Sequence, residues 1–237
     1  MKVFLNPGHA PNGDPDPGAC GCGLEEHAVA KAIADRVETY LEKAGVFVVG
    51  NLQSDSLGEI TAAANASGAD VFISIHCNAF NGDAHGTEVE IYPGSRAGEQ
   101  LAACIQAQIV DSLGTMDRGL KDRPNLYVLK HTDMPAVLVE TAFIDNEEDA
   151  AKLRDRQDEF ARAIARDVCE GAELTRFFAI LMMVNGFAPI IAPVIGGQIL
   201  LFADWRATFV LLTLIGFLLA GATLIYQETL PKEKRSA

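Results

Sequence analysis

Beyond Gly171 the chain contains two long stretches without a charged residue, Phe177 to Ala203 and Ala207 to Gln227. Each exceeds the ~20 residues that a helix needs to cross a bilayer. Core helices of a small soluble domain rarely stay apolar all round for such a length, so a transmembrane α-helical hairpin is expected over 172–237, with spans at about 177–203 and 207–227 and a short basic end. Pro189 and Pro193 are compatible with this, because a membrane helix tolerates proline where neighbours or water satisfy the freed backbone groups. Asn185 and Gln198 would want partners on other helices. Residues 1–171 then form a separate domain and obey different rules.

Charge separates the two parts as sharply. Five basic and four acidic residues follow Gly171, a net of +1, which leaves −14 of the whole-chain −13 in residues 1–171. A domain that acidic lacks the Lys and Arg needed to neutralise phosphates, so nucleic acid is excluded as a partner. The five cysteines, Cys20, Cys22, Cys77, Cys104 and Cys169, are odd in number and without framework spacing, which suits a reducing compartment. Cys20-Gly21-Cys22 is tighter than the spacing of structural zinc pairs. The first residues run straight into a strand and a turn, with no basic segment followed by an apolar one, so no signal peptide is expected.

Within 1–171 strand and helix patterns alternate. Lys2 to Leu5 is a short apolar run ended by Asn6-Pro7-Gly8. From Glu26, apolar residues recur at three and four through Val29, Ala30, Ile33, Val37 and Leu41, a helix that closes at Gly45. Val46 to Val49 is the next strand, Ser56 with Glu59 forms a capping box for a helix to about Ser67, and Val71 to Ile75 is an apolar run of the kind buried in parallel sheets. Gly86 to Tyr92 alternates, Arg96 to Leu113 is helical, and Leu126 to Leu129 and Ala136 to Val139 read as strands. Glu147 to Cys169 is helix, broken near Arg154 and capped by Asp145 with Glu148. The expected architecture is α/β, a twisted, mostly parallel sheet with helices on both faces.

On that reading the reactive side chains gather at one edge. His9 follows the first strand, His76 follows the strand ending at Ile75, and Glu140 follows the strand ending at Val139. Carboxyl ends of strands are where ligand crevices form in open α/β sheets. Glu26 joins them if the first helix starts beside the same edge. Two His and one Glu with an open fourth position make a catalytic zinc site, and a further carboxylate is then needed to carry the proton. Singly, each element has a plain alternative: a histidine after a strand is also a loop residue with a hydrogen bond, and Glu26 also suits a helix N-terminus.

These residues resemble the zinc-dependent N-acetylmuramoyl-L-alanine amidases of bacterial cell-wall hydrolases and phage endolysins. Asn6-Pro7-Gly8-His9 looks like the family's first metal motif, and Ser74-Ile75-His76-Cys77-Asn78-Ala79 resembles its second histidine motif. Pro135 to Asn146, with Val139-Glu140-Thr141 at its centre, is similar to the strand and loop that carry the family's catalytic glutamate. The resemblance covers about residues 1–170. It implies one zinc held by His9, Glu26 and His76, with Glu140 as general base and then acid, and peptidoglycan as the partner whose muramoyl-L-alanine amide is cleaved. The segment from Ala19 to Glu25 is shorter than the loop usual before the glutamate ligand, and Glu25 competes with Glu26. Glu26 is preferred because it shares a helical face with Val29, Ala30 and Ile33 and because Gly23-Leu24-x-Glu26 resembles the family pattern.

Cys77 replaces a small residue common after the second histidine and reads as a buried small side chain. His27, His85 and His131 read as solvated or core histidines. Glu88 and Glu90 alternate along a strand and either line a groove or sit on an exposed face, and Arg118-Gly119 precedes a loop that either borders the cleft or lies away from it. Two other readings remain open for residues 1–171: a zinc hydrolase acting on a peptide or an acetylated sugar, and a catalytically silent, membrane-tethered wall-binding module.

The tail resembles two consecutive helices of the major facilitator superfamily drug exporters, bicyclomycin-resistance type, through Asn185 to Gly197, Trp205-Arg206 and Glu228-Thr229-Leu230-Pro231. Such transporters rock two multi-helix halves about a central site, so a single hairpin is no transporter. The expected attachment is to a membrane. Arg176, Lys232, Lys234 and Arg235 outweigh Arg206 in the connecting turn, which puts both ends, and with them the amidase-like part, on the cytoplasmic side. That side faces away from peptidoglycan. A fused or truncated reading frame, a phage enzyme released when the membrane fails, or a hairpin inserted against the charge rule would each resolve the conflict.

Overall fold

A computed structural model describes residues 1–166 and 168, together with 201, 202, 204–206, 209, 210, 213, 214 and 217. The chain divides into two units, Met1–Thr175 and Arg176–Ala237. The first opens with β1 (Lys2–Pro7) and a tight antiparallel pair, β2 (Cys20–Gly21) and β3 (Leu24–Glu25), that leads into α1 (Glu26–Lys43). β4 (Phe47–Asn51), α2 (Leu57–Ser67), β5 (Val71–Asn78), β6 (Thr87–Ile91) and α3 (Arg96–Leu113) follow. β7 (Asp117–Asp122), α4 (Tyr127–Lys130), β8 (Ala136–Phe143) and α5 (Glu147–Asp155) complete the unit, with further helix over 157–166.

Six strands form one sheet in the order β4-β1-β5-β8-β6-β7. The first four in that order run parallel, whereas β6 pairs antiparallel with β8 and carries β7 parallel to itself. The expected α/β architecture with a mostly parallel sheet is therefore present. Its central strands are buried on both sides, as continuous apolar runs require. Val3, Leu5, Ile73, Ile75, Val137 and Val139 join α1 and α3 in the larger core cluster, while Phe4, Phe72, Ala136 and Leu138 join α2 and α4 in the smaller one. Each fully buried Leu, Ile or Phe contributes about 1.5–3 kcal/mol. A slip of one residue would exchange the two sets, so burial on both faces fixes the register.

Two elements differ from the sequence reading. Leu126 to Leu129 is not a strand: Lys130 and His131 donate to the carbonyls of Leu126 and Tyr127, closing a short helix that buries Val128 and Leu129. A four-residue apolar run does not distinguish the two forms by period. β7, with the sequence DRGLKD, is too charged to announce itself as a strand, and it survives because it lies at the sheet edge, where charge is tolerated. The cap of α5 is also displaced by one residue: Asn146, not Asp145, accepts from the Asp149 amide. Asp145 instead accepts from the amides of Phe80 and Gly82.

In the second unit the described helical positions expose large apolar side chains, among them Phe202, Val210, Leu214 and Phe217. Among the described residues no helix is long and apolar enough to cross a membrane. The spans expected at 177–203 and 207–227 lie outside the described residues except at those few positions.

One buried carboxylate ties three elements near the carboxyl edge. Asp149 of α5 accepts from the amides of Gly86, at 2.7 Å, and Phe143, at 3.1 Å, and pairs with Lys152. Removing it leaves two enclosed N–H groups without an acceptor, each costing about 1–3 kcal/mol. Asp149→Ala should therefore lower unfolding stability by about 3 kcal/mol in urea titration; a change below about 1 kcal/mol would show that the two amides find other acceptors.

Candidate metal centre

The sheet register brings the reactive groups together. In the β1–β5 ladder Pro7 lies opposite Ile75, and the Gly8 amide continues it by donating to the Ile75 carbonyl at 2.9 Å. In the β5–β8 ladder His76 lies directly opposite Glu140, and on the far side of β8 Glu88 lies opposite Glu140 as well. Residues paired across a sheet point to the same face, so His76, Glu140 and Glu88 form one row. His9 follows the end of β1, at φ +67°. Left-handed backbone is uncommon for a side chain of this size, costs about 1–3 kcal/mol, and clusters at functional sites.

Glu26 is the first residue of α1 and is buried. Its Oε2 accepts from the Ala19 amide at 2.7 Å and lies 2.9 Å from His9 Nε2; its Oε1 accepts from the Cys77 amide at 2.9 Å and lies 2.9 Å from His76 Nδ1. A carboxylate so enclosed is held ionised by its partners and by the α1 N-terminus. Burial alone would push its pKa up, but the hydrogen bonds from His76 and His9 outweigh that and hold it below the usual carboxylate range. The same pairing works on His9. Burial favours the neutral ring, yet hydrogen bonds to Glu26 and Asp16 raise its pKa to about 9.

The donor set suits a divalent metal ion. Ligand atoms of His9, Glu26 and His76 lie within 4.8 Å of one another, and two imidazoles with one carboxylate match a catalytic zinc set. The neighbouring backbone is shaped around them. A side-chain carbon at Gly8 would lie 2.6 Å from both ring nitrogens of His76, and one at Gly18 would lie 2.6 Å from Glu26 Oε2, so only glycine leaves the imidazoles and carboxylate room to converge. Glu25, the competitor for Glu26, is exposed and bonds His27 instead.

Glu140 stands beside this cluster. Its Oε2 is enclosed and has no hydrogen-bond partner among the described residues. Burial pushes its pKa well above the ordinary range, and the carboxylates of Glu26, Glu90 and Glu88 act in the same direction. A hollow of about 130 Å³ opens beside His9 and His76, lined by Leu57, Ile60, Leu126, Val128 and Leu138 together with Asn6, Asp16, Ser54 and Asp55.

Several contributors were invisible in the sequence. Asp16 lies in no helix or strand, yet its Oδ2 lies 2.8 Å from His9 Nδ1 while Oδ1 accepts from the Gly18 amide at 2.9 Å. Asn6 donates to the Leu52 carbonyl and accepts from Ser74, fixing the strand ends beneath His9. Glu88 and Glu90, an exposed face on one reading, are buried and paired with Arg118 and Arg123. Cys77 is buried, as its small size suggested, whereas His85 and His131 are exposed and His27 is partly buried.

The chain is similar to known proteins in both of its parts. The sequence pattern of the family described as N-acetylmuramoyl-L-alanine amidase matches residues 3–171, and that of the Major Facilitator Superfamily matches residues 160–237. The chain is 42% identical over 171 residues to the N-acetylmuramoyl-L-alanine amidase LytC of Bacillus subtilis, an alignment covering 68% of this chain and 34% of that protein. It thus spans about a third of that relative's length. The solved structure of the amidase AmiC2 of Nostoc punctiforme superposes with a TM-score of 0.66 at 32% identity, covering 73% of this chain and 97% of the other. The uncharacterized MFS-type transporter YdgK of Bacillus subtilis is 51% identical over 78 residues, 32% of this chain but only 19% of the transporter.

The Asp16 contact generates a test of the centre. A carboxylate on the far ring nitrogen sets the tautomer and orientation of a ligating histidine, and its loss typically costs 10–100-fold in metal affinity. Asp16→Asn should weaken Zn2+ binding by about 10–100-fold in competition with a chromogenic chelator, with the fold intact by circular dichroism. Unchanged affinity would show that His9 is oriented without Asp16.

Proposed function

The chain belongs to the N-acetylmuramoyl-L-alanine amidase family, and on that premise we propose that it hydrolyses the amide joining N-acetylmuramic acid to L-alanine in peptidoglycan. His9, Glu26 and His76 would hold one zinc ion, and Glu140 would move the proton. The observation that carries this reading is the convergence of the three ligand groups beside the enclosed, unpartnered Oε2 of Glu140. Zinc, when bound, supplies Lewis-acid polarisation and lowers the pKa of water to about 7.

The chain's own residues supply the rest. Asp16 occupies His9 Nδ1 and so leaves Nε2 for the ion. Glu26, ionised by its setting, adds the negative charge that two neutral imidazoles lack. Glu140 takes a proton from the attacking water and returns it to the departing amine of alanine, the role of a general base and then acid. Its place in the sheet, directly opposite His76, supports that role. The adjoining hollow, lined by apolar and polar side chains, offers room for part of the substrate.

We also propose that the tail serves attachment to a membrane. The two charge-free stretches and the match of residues 160–237 to the Major Facilitator Superfamily support this. By the charge rule the amidase domain stays on the cytoplasmic side unless it is released. All four proposed site residues precede position 141, and residues 1–171 carry their own core.

Two measurements check these proposals. Glu140→Gln should retain zinc, by metal analysis of the purified protein, while hydrolysis of purified peptidoglycan falls about a hundredfold or more; loss of zinc would make Glu140 a ligand instead. Residues 1–171 alone should be soluble and as active per mole as the full chain in detergent, with only the full chain fractionating with membranes. An insoluble or inactive truncation would show that the tail is part of the enzyme.

A further inference from the structure

Beyond Glu140 the row of site residues continues into a charged strip that the reaction leaves unused. Glu88 and Glu90 on β6 are buried, and each is covered by an arginine from β7 or the residue after it. Arg118 Nε donates to Glu88 Oε2 at 2.8 Å, and its guanidinium lies 4.8 Å from the centre of the Phe143 ring. Arg123 donates to Glu90 Oε1 through Nε and Nη2, both at 2.6 Å. Two buried carboxylates thus fix two guanidinium groups by their inner edges.

A guanidinium carries five N–H donors in a rigid fork, with a second edge, Nη1 and Nη2, that matches a carboxylate. In Arg123 the inner edge is committed to Glu90. Nη1 has no protein partner among the described residues, and the side chain is 50% exposed. Arg123 Nη2 also lies 3.9 Å from Glu88 Oε1, and Glu88 is the direct cross-strand neighbour of Glu140. A half-exposed arginine held in place by buried carboxylates can receive an anion without further ordering.

The hollow beside the ligands is lined by apolar and polar groups alike, whereas the strip on β6 and β7 presents paired charges. Only one part of the substrate matches a half-exposed guanidinium. The N-acetylated sugar is neutral where its lactyl carboxyl is tied up in the amide, whereas the stem peptide carries free carboxylates. From His76 across Glu140 to Glu88 the row crosses two strand spacings, about 10 Å. About three extended residues span that distance, so a carboxylate there belongs to one of the first residues of the peptide.

We propose that Arg123, supported by Glu90, is a specificity-determining residue that binds a free carboxylate of the stem peptide, with the peptide lying over β6. This rests on the amidase reading and adds the direction in which the substrate lies. The α-carboxylate left free where the second residue is linked through its γ-carboxyl is the nearest such group.

The test uses the zinc-loaded full chain in detergent and two soluble muramoyl peptides that differ only in whether that second-residue carboxyl is free or amidated. The wild type should prefer the acid over the amide by about tenfold in kcat/KM, the scale of one partly exposed charge-assisted pair. Arg123→Gln should bring the ratio to near one, and Arg123→Lys, which keeps a charge for Glu90 but loses the fork, should leave an intermediate ratio. A wild type that turns over both peptides equally, or an Arg123→Gln variant that keeps the full preference, would overturn the proposal. Failure of the zinc-loaded wild type to cleave either peptide would overturn the amidase reading and this proposal together, and is distinguished because no turnover is then seen at all. Should Arg123→Gln fail to fold, the wild-type ratio and the Lys variant decide.

Discussion

The buried carboxylate of Glu26 is the point on which the site depends. It sits at the start of α1, where the helix N-terminus favours negative charge, and it accepts from backbone amides of both the loop after β1 and the end of β5. An enclosed carboxylate without those partners would be driven to protonate. With them it draws the His9 and His76 rings to its two oxygens. One side chain thereby connects three segments that are far apart in the chain, and any shift of α1 along the sheet would break four contacts at once.

Balance of charge governs the surroundings. Glu26, Glu140, Glu88 and Glu90 crowd one face of the sheet, and each needs a different compensation. Glu26 has the two imidazoles, Glu88 and Glu90 have arginines, and the pKa of Glu140 is pushed up by its burial and by the other three carboxylates, with only Arg123 acting against them. That graded treatment of four carboxylates sets Glu26 apart from Glu140, as their proposed roles of ligand and proton carrier require. Environment rather than residue type assigns the roles.

The strain at His9 and the glycines at Gly8 and Gly18 belong to the same design. A left-handed histidine turns the chain so that the ring faces Glu26, and the absent side chains let the rings approach. Asp16 and Asn6 then hold the turn by its polar groups. Stability is spent locally at the edge of a sheet whose apolar core, fully enclosed on both faces, tolerates the cost.

Much of this was legible in the sequence. Apolar runs at strand length and a three-four period between them specify a mostly parallel α/β sheet, because buried parallel strands must be apolar on both faces. His9, His76 and Glu140 were placed at strand ends by the same runs, and Glu26 by its position on the buried face of α1. What the sequence did not disclose were contacts made across the sheet or through loops. Asp16 sits in a turn with no period, Glu88 and Glu90 look like an exposed alternating face until β7 supplies arginines, and the charged β7 hides its own pairing. Local pattern records which side chains leave water, since that depends only on spacing along the chain. Which polar groups meet one another depends on register and crossing loops, and only the tertiary structure decided that.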